Sequence, residues 1–154
     1  MKTIDNKKAF FDYEIIERFE AGIALEGSEV KSIRAGNASL RDSFCFVEGN
    51  ELFLKNCRIS VYDKSFILQP DPLRSRKLLL HRSEIKRIIG KSKEKGFTIV
   101  PLKMYFKGNN VKVEIGLGRG KKAFDKKQTI KDRDTVRDMS RQITDHLKEK
   151  KGGN

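Results

Sequence analysis

The sequence predicts a mainly β protein: a small closed antiparallel β-barrel, OB-like, with two or three short helices and a basic C-terminal tail. Three observations predict it. Short runs of alternating apolar and polar residues recur from Phe11 to Leu117, separated by Gly, Asn and Pro breaks. Two of those breaks, Glu48-Gly49-Asn50-Glu51 and Lys107-Gly108-Asn109-Asn110, lie between paired runs and read as hairpin turns. From Ile130 the apolar period becomes helical on one thin edge, while charge continues to the end.

Each element has a local reason. Phe11, Tyr13 and Ile15 alternate with Asp12 and Glu14 in a first strand; Glu20-Ala21-Gly22 interrupts it, and Ile23-Ala24-Leu25 resumes it. Ser28 to Arg34 predicts a short helix capped by Ser28, with Val30 and Ile33 on one face, Lys31 and Arg34 on another, and Gly36 at its end. Ser43–Val47 and Leu52–Leu54 form the first hairpin, and Arg58–Tyr62 another short strand. Gln69-Pro70-Asp71-Pro72 breaks regular structure. Ser83 caps a helix that turns Ile85, Ile88 and Ile89 inward, weakens at Gly90 and ends at Gly96. Thr98–Phe106 and Val111–Leu117 form the second hairpin, with Val111, Val113, Ile115 and Leu117 on one side and Lys112 and Glu114 on the other. Beyond Ile130, Val136, Met139, Ile143 and Leu147 mark an edge too narrow for a stable isolated helix. Residues 1–122 are thus expected as the barrel and 123–154 as a tail, disordered when free and helical when docked.

Charge narrows the partner. The 154 residues carry 34 Lys plus Arg against 21 Asp plus Glu, a formal net charge of +13. Such an excess steers a protein toward a polyanion. No apolar run approaches the ~20 residues of a membrane span, and Met1–Lys8 lacks a signal-peptide core. A cytoplasmic protein without membrane contact is expected, with Cys45 and Cys57 as reduced thiols in no zinc pattern.

The chemistry-bearing motifs are few. Gly116-Leu117-Gly118-Arg119-Gly120-Lys121-Lys122 fits neither the Walker spacing nor the dinucleotide fingerprint. It reads equally as a strand-exit turn with solvated lysines or as bare backbone able to approach phosphate. Asp71-Pro72-Leu73-Arg74-Ser75-Arg76-Lys77 crowds three cations ahead of Leu78-Leu79-Leu80-His81. In a strand Arg74 and Arg76 share one parity and Leu79 and His81 the other, which offers a basic edge beside a packed one. His81 has no Ser, Cys or carboxylate constellation around it, so a structural or base-contacting role is favoured over acid–base chemistry. Glu20 reads as a turn carboxylate or as an acceptor for a base edge or ribose hydroxyl. No enzyme, metal site or cofactor is expected.

Together these motifs carry a resemblance. Asn6-Lys7-Lys8-Ala9, Phe19-Glu20-Ala21-Gly22-Ile23, and Gly27-x-Glu29-Val30-Lys31-Ser32-Ile33-Arg34-Ala35-Gly36 occur in order. So do Asp71-Pro72-x-Arg74-x-Arg76-Lys77-Leu78-Leu79-Leu80, Gly116-Leu117 with Gly120-Lys121-Lys122, and Asp125-Lys126-Lys127 with Ile130-Lys131. In this the chain resembles the bacterial SsrA-binding protein family, also called small protein B, from residue 6 to about residue 134. The resemblance implies an OB-like barrel that binds the tRNA-like domain of transfer-messenger RNA and enters stalled ribosomes for trans-translation. It also implies a tail that becomes helical in the small-subunit decoding centre and mRNA channel. Elongation factor Tu carrying the aminoacylated RNA is the further partner implied.

Carried over by motif, the RNA-binding face would hold Asn6, Lys7, Glu20, Lys77, Leu79 and His81, joined by Lys112 on the polar parity of its strand; the cations Lys8, Lys31, Arg34, Arg74 and Arg76 are expected on it too, Arg74 and Arg76 because with Lys77 they crowd a proline-fixed loop. The stretch entering the decoding centre would hold Arg119, Gly120, Lys121, Lys122, Phe124, Asp125, Lys126, Lys127, Lys131 and Arg133. Lysines there would neutralise phosphate, and the Phe124 ring would stack on a base. The alternatives are a general OB-fold protein for single-stranded RNA or the ribosome, and, on poorer grounds, an RNA-processing enzyme using His81.

Overall fold

The computed structural model describes residues 3–61 and 70–121. In chain order they form β1 (Ile4–Asp5), α1 (Lys7–Asp12), β2 (Tyr13–Ile23), α2 (Gly27–Arg34), β3 (Ala38–Ser39), β4 (Phe44–Glu48), β5 (Glu51–Lys55), β6 (Arg58–Ile59), β7 (Arg76–Leu79), α3 (Arg82–Ser92), β8 (Phe97–Lys107) and β9 (Asn110–Gly120). Seven strands make one antiparallel sheet in the order β1-β8-β9-β2-β7-β5-β4, and β3 pairs with β6 beside it. The fold is mainly β, as expected, but the hydrogen-bond ladder does not close. β1 and β4 remain its two ends, although the sheet curls until β4 comes within 8 Å of β8 between Cα atoms.

The core lies on the inner face of this curl. Alternation along β9 buries Val111, Val113, Ile115 and Leu117 and leaves Lys112 and Glu114 on the outer face, as the period-2 pattern predicts. Leu52 and Leu54 from β5, Leu78 from β7 and Met104 from β8 join them, with Ile33 of α2 and Ile88 of α3 closing the inner side. Cys57 is buried and Cys45 half-buried, both as free thiols; burial pushes both upward, Cys57 to about 11. At neutral pH neither supplies a thiolate.

Several local expectations change. Phe11 belongs to α1, a helix the strand pattern conceals, and β2 then runs unbroken to Ile23. Gly22 is no break: it lies opposite Leu79 and Lys112, and a Cβ there would stand 3.3 Å from Leu79 Cβ. Glu26, not Ser28, caps α2, its N–H donating to Glu29 Oε1 at 2.9 Å. His81, not Ser83, caps α3, its N–H donating to Glu84 Oε1 at 3.1 Å. Arg58–Ile59 forms a two-residue strand, and Tyr62 lies outside the described residues.

The glycine-rich stretch is the largest revision. β9 continues through Gly116 and Gly118 to Gly120, which pairs with Tyr13. The two interior glycines are buried because their neighbours occupy the space a side chain needs. A Cβ at Gly116 would stand 3.0 Å from both Ile15 Cγ2 and Leu102 Cδ1. Gly116→Ala is therefore expected to destabilise the fold by about 1–3 kcal/mol through overpacking, read as a lower urea midpoint at constant slope; an unchanged midpoint would mean that Ile15 and Leu102 yield freely.

Candidate nucleic-acid interface

Cross-strand register assembles the outer face. Gly22 of β2 pairs with Leu79 on one side and with Lys112 on the other, and Lys112 pairs in turn with Tyr105. Directly paired residues point to the same side of a sheet, so Leu79, Lys112 and Tyr105 form one row across four strands. Glu20 lies two residues from Gly22, and Lys77 two from Leu79, which places both on that face. Four of the expected RNA-binding residues, Glu20, Lys77, Leu79 and Lys112, thus converge from β2, β7 and β9. Leu79 is 49% exposed, a large apolar side chain half open to solvent.

Electrostatics fixes the acid in the middle. The Tyr105 hydroxyl donates to Glu20 Oε2, and Lys107 Nζ donates to Glu20 Oε1 at 3.1 Å. These bonds, with the charges of Lys107 and Lys112, hold the Glu20 carboxyl below its ordinary range. Burial and the Glu20 bond push the Tyr105 phenol up to about 12. At neutral pH the site holds a carboxylate and a neutral phenol among cations. Nearby, Glu114 accepts from Arg18 at 3.1 Å and lies 3.4 Å from Lys103, and Lys77 pairs with Glu51 at 2.9 Å. An arrangement of oriented acceptors, exposed cations and one apolar side chain suits base edges, phosphates and a stacked ring. Tyr105 and Lys107 were missed in the sequence, although Lys103, Tyr105 and Lys107 share the outward parity of β8.

Arg76 corrects the reading of its strand. Its parity relation to Leu79 holds, but the sense is inverted: Arg76 and Leu78 point inward, and Lys77 and Leu79 outward. Arg76 is fully buried. Its Nε donates to Glu29 Oε2 at 2.7 Å, Nη1 to the Cys57 carbonyl at 2.7 Å, and Nη2 to the Pro72 carbonyl at 3.2 Å. Arg74 joins the same carboxylate, with Nε 3.1 Å from Oε2 and Nη2 2.5 Å from Oε1. Burial raises the Glu29 carboxyl, but bonds from Arg74, the Glu26 amide and Arg76 outweigh it and hold the group below its ordinary value. Arg76 thus spends its donors inside the protein, where it pins the 71–76 segment so that Lys77 and Leu79 face outward.

Asn6 also makes internal bonds. It is buried, its amide Nδ2 donating to the Pro101 carbonyl at 2.8 Å and its backbone N–H to Leu102 O at 2.9 Å. It anchors α1 to β8, leaving Lys7 and Lys8 exposed at the helix start. Lys31 and Arg34 ride on α2, whose Glu29 and Ile33 pack on the inner side, so they do not join the outer face; the Arg34 guanidinium lies 5.1 Å from the Phe106 ring centroid. His81 stands just past Leu79 as the cap of α3. Arg119 and Gly120 are exposed at the end of β9, with the Arg119 guanidinium 5.0 Å from the Phe97 ring centroid, and Lys121 follows them. Lys122, Phe124, Asp125, Lys126, Lys127, Lys131 and Arg133, and the expected helix beyond Ile130, lie outside the described residues.

Comparison with known proteins bears on most of the chain. The family model described as SmpB protein matches residues 3–145. An SsrA-binding protein of Carboxydothermus hydrogenoformans is 51% identical over 139 residues, covering 90% of this chain and 93% of that one. Another, of Synechocystis sp., is 55% identical over 138 residues, covering 89% of this chain and 90% of that one. A chain of the solved structure called "tmRNA-SmpB: a journey to the center of the bacterial ribosome" matches with a TM-score of 0.66 and 51% sequence identity, over 79% of this chain and 85% of that chain. With a family model spanning nearly its full length and relatives at about half identity, the chain belongs to the SmpB protein family, whose curated members are SsrA-binding proteins.

Proposed function

We propose that this chain binds the tRNA-like domain of transfer-messenger RNA and delivers it to stalled ribosomes for trans-translation. The observation that carries the reading is the convergence of Glu20, Lys77, Leu79 and Lys112 on one outer sheet face, beside Tyr105 and Lys107. The curled sheet serves as an OB-like platform: cations meet phosphates, Glu20 accepts from a base edge or ribose hydroxyl, and Leu79 packs against an unstacked ring. The SsrA-binding name of the relatives and the tmRNA–SmpB ribosome structure support the same partner.

The remaining parts follow from that reading. Residues 123–154 form the basic tail that enters the decoding centre and vacant mRNA channel, with Lys122, Phe124, Asp125, Lys126, Lys127, Lys131 and Arg133 as its contacts. Arg119, Gly120 and Lys121 lead into it from β9. Delivery takes place in the cytoplasm with elongation factor Tu carrying the aminoacylated RNA, and the protein contributes binding rather than a chemical step.

A competition assay tests the proposal. The tRNA-like domain, ordinary tRNA and an unstructured RNA of equal length are set against one another at two salt concentrations. The tRNA-like domain is expected to stay bound through excess tRNA and the higher salt. Equal binding of all three, falling together as salt rises, would reduce the protein to a non-specific polyanion binder.

A further inference from the structure

A groove of about 720 Å³ runs beside the outer face, between the β4–β5 turn, β7 and α3. Leu79, Leu80, Ile85 and Ile89 give it apolar lining, and Arg82, Lys86 and Lys93 line its α3 wall. These three cations stand at i, i+4 and i+11; Lys93, the C-cap, retains helical backbone angles, so they form one stripe. All three are exposed and hold no ion pair among the described residues, whereas Arg87 and Lys91 on the same helix are engaged by Glu17 and Glu94. On the opposite wall the one carboxylate, Glu51, is already taken by Lys77. Four cations against one carboxylate leave the groove a net charge of +3.

We infer that this groove seats a phosphodiester strand of the bound RNA, running off the sheet face past Leu79 and along α3, with Arg82, Lys86 and Lys93 neutralising its phosphates. The inference rests on the proposed RNA-binding function and extends its footprint to a second element. Continuity argues for it, since Lys77 and Leu79 line the groove and also belong to the outer face. Charge argues for the same occupant. The chain's own residues 121–154 are net basic and are repelled by the stripe, while a polyanion is drawn to it. Eleven helical residues cover about 16 Å, a length over which one nucleic-acid strand presents about five phosphates at ~3.4 Å each.

The test uses the full chain, a transcript of the tRNA-like domain, and affinity measured across a potassium chloride series. Arg82→Gln/Lys86→Gln/Lys93→Gln is expected to lower the slope of log affinity against log salt by about 2–3, and to weaken binding about 10- to 100-fold near physiological salt. The charge-preserving Arg82→Lys/Lys86→Arg/Lys93→Arg variant should keep the slope. So should Arg41→Gln/Arg58→Gln/Lys95→Gln, which removes the same charge from exposed residues that do not line the groove. A groove variant that binds with unchanged slope overturns the inference while leaving the sheet-face reading standing. Equal slope loss in the off-groove variant also overturns it, because the effect would then be one of overall charge. A wild-type protein without preference for the tRNA-like domain overturns the reading beneath it, and the groove assignment with it.

Discussion

Replacing Glu29 with glutamine is expected to destabilise the protein by about 3–5 kcal/mol, the range for breaking one partner out of a buried ion pair. The carboxylate accepts from Arg74, Arg76 and the Glu26 amide at once. Glutamine keeps the shape but loses the charge, and its amide group turns donors toward guanidinium donors. Arg76, with no exposure to water, is then left as an uncompensated buried cation. Glu17, paired with Arg87 at 2.8 Å, makes the control: that pair is exposed, so Glu17→Gln should cost about 0–1 kcal/mol. Urea unfolding of both variants decides it. A Glu29→Gln loss under about 1 kcal/mol would show that the Cys57 and Pro72 carbonyls alone satisfy Arg76.

The same group sets an acid limb. The folded Glu29 carboxyl titrates below its ordinary value of 4.5. The unfolded chain therefore takes up this proton first as pH falls. The stabilisation is fully present above about 4.5 and is lost as pH drops through the folded value. In Glu29→Gln that contribution is absent at every pH, so the gap between the two proteins should narrow on acidification.

What could be read in the sequence follows the range of the forces involved. The alternation of Val111, Val113, Ile115 and Leu117 is a local pattern, and β9 obeys it residue by residue. Glycine and asparagine in the two hairpin turns are equally local: Gly49, Asn50 and Gly108 all take the positive φ that these residue types tolerate. The sense of β7 could not be read locally. Two arginines before three leucines look like a wet edge until Glu29, a residue 47 positions upstream of Arg76, arrives on α2 to neutralise them. Asn6 likewise looks like a polar surface residue until it meets Pro101, 95 positions away. The glycines of β9 look like a loop until Ile15 and Leu102 fill the space beside Gly116. Of the site, Glu20, Lys77, Leu79 and Lys112 were legible as residues, but only strand register brings them to one face.

That register also locates where the chain can be cut. Ending it after Lys121 is expected to leave affinity for the tRNA-like domain within about threefold of the full chain, while tagging of products on stalled ribosomes is lost. A cut after Gly118 would remove Arg119 and Gly120, whose pairs with Glu14 and Tyr13 are the last rungs of β2 and β9. The boundary therefore belongs after β9, not inside its glycine-rich end. Every residue of the sheet face, including Tyr105 and Lys107, precedes the cut. The removed segment holds Phe124 and a run of lysines and arginines, whose charge adds a salt-sensitive increment of affinity for any RNA but no preference among them. Binding is measured at physiological salt, and tagging in a translation reaction programmed with an mRNA lacking a stop codon. Lost binding would place part of the RNA-binding surface beyond Lys121. Retained binding with retained tagging would make the tail dispensable. Only binding without tagging fits a protein whose sheet holds the RNA and whose tail reads the empty channel.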